Sequence, residues 1–150
     1  GCEPGLQREK GDWLTEAPLA ELAAISEPVL KLCAFHHELD SDALAARGRS
    51  VVGERLTMTH SHLGDYGLLE ISAPGVTKAS GLAALSAELG VDPAEVAAFG
   101  DMPNDLPMLA WAGHGYAIAE GHPSLVGAGF RLTEGPQDEA VGRVIMQLLG

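Results

Sequence analysis

The chain has 150 residues, 46% of them apolar, and a formal net charge of −12 from 9 basic and 21 acidic side chains. Such an apolar fraction argues against disorder, and the length suffices for one ordinary domain or two small ones. The acidic balance argues against nucleic acid or an anionic membrane as the main partner, because both reward a basic patch, but a local cation or a bridging metal can still hold a phosphate.

The N-terminal tract from Gly1 to Asp12 reads as a polar loop, with neither a basic start nor an apolar signal core. Thr15 can cap a short helix with Pro18 in its first turn and Leu19, Leu22 and Ile25 on one face. Val29 to Phe35 (VLKLCAF) reads as a buried strand, with Cys33 a small buried hydrophobe within it. Asp40 or Ser41 caps a helix to about Val52, with Gly53 as its stop. Arg55 to His60 alternates, placing Leu56 and Met58 on one face, and Ser61 to Gly67 reads as a turn. Leu68 to Ala73 is a further strand with Leu69 and Ile71 inward, able to pair antiparallel with the one before it.

Pro74-Gly75 punctuates the chain, and a domain boundary is expected there, giving residues 1–74 and 75–150. Lys78 to Leu89 is helical, with Leu82, Leu85 and Leu89 on one face and Gly90 beyond its end. Asp92-Pro93 starts a single turn, and Val96 to Phe99 is a short strand. After the loop Gly100 to Asp105 come a helix (LPMLAWA) stopped by Gly113, a strand at Tyr116 to Ala119, a helical turn at His122-Pro123, a strand at Phe130 to Thr133 and a last helix from Glu139 to Leu149. Strands alternating with helices argue for an α/β fold with a parallel sheet covered on both faces. The two cysteines, Cys2 and Cys33, have no metal-type spacing. With no apolar stretch long enough to span a bilayer, a reducing, cytoplasmic setting is the expectation.

The segment that carries chemistry is Phe99-Gly100-Asp101-Met102-Pro103-Asn104-Asp105, at the carboxyl end of an expected parallel strand, the edge where open α/β sheets bind ligands. Gly100 permits a sharp turn and close approach. Asp101 and Asp105 supply two carboxylates and Asn104 an amide, hard oxygen donors that suit Mg²⁺. The competing reading has Asp105 capping the next helix and Asp101 in a plain turn. Lys78 opens the helix before that strand, a compact cation suited to a phosphate or acyl phosphate, although a lysine at a helix start is more commonly a solvated charge.

Taken together, GVTKASGL, a helix and then EVAAFGDMPNDLPMLAWAG resemble the third and fourth motifs of the haloacid-dehalogenase superfamily, and GYAIAEGHP followed by RLTEGPQDEAVG continues to resemble its Cof-type phosphatases. The resemblance runs from about Pro74 to the end, and more loosely back to Pro28. It implies the C-terminal half of a Rossmann-like core preceded by part of an α+β cap. It also implies Mg²⁺-dependent hydrolysis of small phosphomonoesters, sugar phosphates among the candidates, through an aspartyl-phosphate. On this resemblance Lys78 neutralises nucleophile and phosphate, Asp101 binds the metal directly or through water, Asn104 hydrogen-bonds near the phosphate, and Asp105 orients Lys78 or a metal-bound water. A phosphomutase of the same superfamily shares these motifs.

The family's first motif, Asp-x-Asp-Gly-Thr with its nucleophile, and its second, a phosphate-binding Ser or Thr, are not found in this chain. Asp40-Ser41-Asp42 is the one Asp-x-Asp, but Ala43-Leu44 replaces the Gly-Thr turn, and a helix cap is the expected role. The chain is therefore expected to be a fragment, inactive alone, with a small phosphorylated metabolite as partner of the intact protein and exposed apolar faces favouring self-association. The rival expectations are a non-catalytic remnant or binding module, and one half of a split enzyme. Glu120 stands where Cof-type members commonly have Asn, and Gln137-Asp138-Glu139 where an Asn-containing loop is usual. His60 and His62 share one strand face with Asp65 following, which would make a two-histidine, one-carboxylate metal set; strand-end polar residues are the commoner outcome. Trp111 is expected to pack against the sheet rather than to stack on a ligand, as Trp13 could.

Overall fold

The structure, a computed structural model, describes residues 17–24, 26, 28–134 and 137–150. The expected loop at Gly1 to Asp12, and with it Cys2, Trp13, Thr15 and Ile25, lies outside the described residues. Of the helix expected after Thr15, α1 (Leu19–Leu22) is described.

Strands β1 (Leu32–His36), β2 (Thr57–Thr59) and β3 (Gly67–Ser72) form an antiparallel sheet in the order β1-β3-β2. Its register pairs Leu32 with Ile71 and Met58 with Ile71, so β3 is the central strand. Helix α2 (Ser41–Val52) starts because the Asp40 carboxylate accepts the Ala43 N–H at 2.8 Å, and it ends at Gly53, whose φ of 63° an L side chain would strain. One face of the sheet packs on α2 through Ala45, Met58 and Leu69, with Ala34, Leu44, Val52 and Ile71 around them. Gly48 sits mid-helix because a Cβ there would lie 2.8 Å from Met58 Sδ and 2.9 Å from Leu69 Cδ2.

The strand expected from Val29 to be buried is not: Val29, Leu30, Leu32 and Phe35 are exposed, and Cys33 is an exposed free thiol. The apolar run promised two covered faces. Only one face of this sheet is covered, by α2, and on β1 it is Ala34 that packs there, while Cys33 and Phe35 project from the other face.

The second half begins at α3 (Lys78–Leu89), fixed by a capping box between Thr77 and Ser80 and closed by Gly90 at φ 68°. A short 3-10 turn at Pro93–Glu95 leads into β4 (Ala97–Gly100), then α4 (Leu106–Trp111), β5 (His114–Ala117), α5 (Pro123–Val126), β6 (Arg131–Leu132) and α6 (Gln137–Leu149). The three strands make the expected parallel sheet, in the order β4-β5-β6. β5 starts two residues earlier than Tyr116, because Gly113 N–H bonds to Pro93 O at 2.8 Å and His114 N–H to Val96 O at 3.0 Å, which sets the parallel register there. Gly115 allows the approach, since a Cβ on it would meet Leu109 O at 2.3 Å.

Ala98, Leu109, Ala112, Ala117 and Leu125 form the core of this half, with Trp111 packed against it as expected. Alanines on the strands let the helices sit close, and Leu109 and Leu125 fill the space fully buried. On α3 the leucine stripe is only partly covered: Leu82 is half-buried, but Leu85 and Leu89 are exposed. None of the helices among the described residues is long and apolar enough to cross a membrane.

This distribution separates two substitutions. Leu109→Ala is expected to cost about 2–5 kcal/mol through lost burial and a residual cavity, whereas Leu85→Ala, at an exposed site, is expected to change stability by no more than about 0.5 kcal/mol. Urea unfolding of both variants checks the contrast.

Candidate active site

The loop after β4 is built around one side chain. Asp105 ends a 3-10 turn, Pro103–Asp105, that folds it back over Gly100. A Cβ on Gly100 would lie 2.4 Å from the Asp105 Cβ and 2.8 Å from its Cγ, so glycine is required by space, not by backbone angle. The Asp105 carboxylate, 2% exposed, accepts the backbone N–H groups of Asp101 and Met102 at Oδ2, each at 3.1 Å. Its Oδ1 accepts from Lys78 Nζ at 2.5 Å. Lys78 is the first residue of α3, and the Thr77–Ser80 box that starts the helix aims it at the loop. A buried charge is tolerable only when paired and hydrogen-bonded, and here both oxygens are engaged.

Asp101 differs. Its backbone carbonyl accepts the His122 N–H at 2.7 Å, but among the described residues no hydrogen bond or ion pair engages its carboxylate, which is half-buried. Asn104 is 8% exposed, and its Oδ1 has no partner among the described residues. A free carboxylate and an unsatisfied buried amide oxygen on one short loop fit a hard, oxygen-preferring cation such as Mg²⁺, which takes one or two carboxylates and keeps several waters.

The four residues expected from sequence thus meet at one place: Lys78, Asp101, Asn104 and Asp105 at the carboxyl edge of the parallel sheet. Lys78 and Asn104 also line a cleft with Thr77, and the antiparallel sheet supplies its opposite wall through Thr59, Glu70 and Ser72. Lys31 reaches into the same cleft, paired with Glu70 at 3.0 Å. The turn carrying Glu120 is stitched to the loop by the Ile118 N–H to Gly100 O bond, 2.9 Å, and by Gly121, where a Cβ would sit 2.8 Å from Asp101 O. Glu120 itself is exposed. Gly135 and Pro136 lie outside the described residues.

Asp40 is a helix cap, as expected. The metal set read from His60, His62 and Asp65 does not assemble: the His62 ring stacks on Tyr66 at 4.2 Å. His60 turns inward on the Met58 side of the strand and bonds through Nε2 to Asp42 Oδ1 at 3.0 Å. Asp42 Oδ2 meets His122 Nε2, also at 3.0 Å. Partial burial raises the Asp42 pKa, but the hydrogen bonds from His122 and His60 outweigh it and hold the carboxyl below its usual value. Local spacing could not reveal this trio, because its members are 18 and 80 residues apart. Strand parity alone marks His60 as inward.

Comparison with known proteins agrees with this geometry. The profile of the haloacid dehalogenase-like hydrolases matches residues 15–145. The chain is 36% identical over 90 residues to a 5-amino-6-(5-phospho-D-ribitylamino)uracil phosphatase, YbjI, of Escherichia coli, a match covering 59% of this chain and 33% of that protein. It is 34% identical over 98 residues to the putative phosphatase YxeH of Bacillus subtilis, covering 65% and 35%. A haloacid dehalogenase-like hydrolase structure from B. subtilis superposes with a TM-score of 0.70 at 25% identity, over 87% of this chain and 45% of that one. The chain therefore spans about a third of the curated relatives' length and under half of the solved structure's. With that coverage, and with the loop built as its motifs required, the chain belongs to the haloacid dehalogenase-like hydrolases, in their Cof-type branch.

Proposed function

We propose that the intact protein is a Mg²⁺-dependent phosphatase of small phosphomonoesters, and that this chain carries the lysine and metal-binding half of its active site. The observation that supports this most is the Lys78–Asp105 pair beside the unpartnered Asp101 carboxylate at the sheet's carboxyl edge. Asp101 is the carboxylate left for the metal, because both Asp105 oxygens are engaged. Asp105 acts through Lys78, holding the ammonium toward the cleft, where it would neutralise the nucleophile and the transferring phosphoryl group. Asn104 would hydrogen-bond near the phosphate. When bound, Mg²⁺ would supply the remaining charge neutralisation.

The nucleophilic aspartate would come from residues outside these 150, on the same polypeptide or on a second one. The polar cleft wall of Thr59, Glu70 and Ser72 suits a hydroxyl-rich substrate, and YbjI is named for a phosphorylated ribityl compound; sugar or polyol phosphates are the class proposed. The cytoplasm remains the proposed setting, and the exposed Leu85, Leu89 and Met146 support self-association of the chain by itself.

Two measurements test the reading. The 150-residue chain alone should show no Mg²⁺-dependent turnover of a generic phosphomonoester. The reading frame extended upstream, or this chain combined with a partner bearing Asp-x-Asp-Gly-Thr, should show it, and Asp101→Asn should then lower kcat/KM on the order of 10²–10³-fold. Turnover by the chain alone that survives Asp101→Asn would overturn the assignment, and an inactive extended protein would favour the binding-module reading. Separately, Lys78→Met leaves a buried carboxylate without its cation. A loss of about 1–3 kcal/mol is expected, toward the low end because Lys78 is half-exposed. Lys78→Arg should recover part of that stability but little activity, since a planar guanidinium does not replace a compact ammonium. Thermal unfolding and the same phosphatase assay read the two effects apart.

A further inference from the structure

Away from the Lys78–Asp105 pair, three donor atoms converge from three separate elements. Asp42 lies in the first turn of α2, His60 just beyond β2, and His122 caps α5. The three ligand atoms all lie within 4.8 Å of one another. Both histidines are nine-tenths or more buried, at 3% and 8% side-chain exposure, while Asp42 is 61% exposed. The imidazole rings meet edge to face at 5.7 Å between centroids, both presenting Nε2 to the same carboxylate.

We propose that Asp42, His60 and His122 form a transition-metal site of the zinc class that ties α2 and β2 to the loop after β5. Two imidazole nitrogens and one carboxylate oxygen suit zinc and its neighbours, and three protein ligands leave a fourth position for water. The exposed side of Asp42 provides that position and the entry path. Zinc bonds of about 2.0–2.1 Å to nitrogen place tetrahedral ligands roughly 3.3 Å apart; each Nε2 lies 3.0 Å from a different oxygen of Asp42 and the three ligand atoms lie within 4.8 Å of one another, so the exposed carboxylate must turn and the rings adjust to share one ion.

Coordination through Nε2 moves each neutral ring's proton to Nδ1. On His122 that N–H would donate to Ser124 Oγ, now 2.8 Å away, the kind of outer hydrogen bond that orients a ligating histidine. The bond that the Ser124 backbone N–H now donates to this Nδ1, at 3.2 Å, would be lost, which costs α5 its cap. His60 Nδ1 is buried without a partner and would remain so in either tautomer, which weakens the site without blocking it. None of the three residues belongs to the Asp101–Asp105 loop, so the proposal stands apart from the phosphatase reading.

The test is titration of the metal-stripped 150-residue chain with Zn²⁺ by calorimetry, and with Co²⁺ by visible absorption, in a background where Cys2 and Cys33 are serine. One equivalent should bind, the cobalt spectrum should be that of a four-coordinate nitrogen-oxygen site, and zinc should raise the Tm. Asp42→Asn, on an exposed side chain and so expected to fold, should weaken zinc at least about tenfold, as should His122→Gln. Asp101→Asn should leave the stoichiometry unchanged. Absence of saturable zinc binding, or equal affinity in Asp42→Asn and the unsubstituted chain, overturns the proposal and leaves the trio as a hydrogen-bonded bridge. Loss of binding in Asp101→Asn alone would place the metal on the other loop and overturn it as well.

Discussion

The structure turns on a single buried carboxylate. Asp105 joins the end of β4, the loop that follows it and the first turn of α3, and it does so with charge-assisted bonds from Lys78 and two backbone N–H groups. Removing a carboxylate from water is costly unless its oxygens are satisfied. The fold satisfies them by curling the loop into a 3-10 turn and by starting α3 where a lysine can reach. Gly100 is the condition for that curl, because any side chain there would occupy the space of Asp105 itself.

Consequences of this constraint spread outward. With Asp105 engaged, the Asp101 carboxylate is left without a partner among the described residues, and its backbone carbonyl accepts the His122 N–H. Neighbouring loops at the sheet edge are thereby tied together, and the edge gathers oxygen donors with Lys78 beside them. The proposed phosphoryl transfer would draw on such an arrangement, since positioning and charge neutralisation supply most of that catalysis. The antiparallel sheet contributes differently. It lines the same cleft with threonine, serine and a lysine–glutamate pair, a polar wall facing Lys78 and Asn104.

The two sheets also show how differently apolar residues are used. In the parallel sheet, Ala98 and Ala117 lie in a core with Leu109 of α4, and the chain passes α4 closely enough that residue 115 must be glycine, as residue 113 must be against the backbone of Ala94. In the antiparallel sheet one face is packed on α2 and the other presents Cys33 and Phe35 to solvent, while Leu32 at the strand's start and Val29 and Leu30 before it are exposed as well. An apolar run such as VLKLCAF has the same appearance whether one of its faces is covered or both, which is why Cys33 reads as buried in the sequence and stands exposed in the fold.

Much of this protein was legible in its residues taken in order. Helix boundaries at Asp40, Gly53, Lys78 and Gly90 follow from capping chemistry that acts over a few residues. The glycine, aspartate and asparagine of the Gly100–Asp105 loop announce their chemistry because all the donors lie on one turn, and Lys78 joins them through a single helix of known length. What depended on tertiary structure were the relations between distant elements: that β1 is an edge strand, that β5 begins at His114, and that Asp42 and His122 rather than His62 and Asp65 stand beside His60. Local sequence encodes the short-range forces that start and stop elements. Which faces meet, and so which side chains share a site, is decided by packing across the whole chain, where residues 80 apart become neighbours.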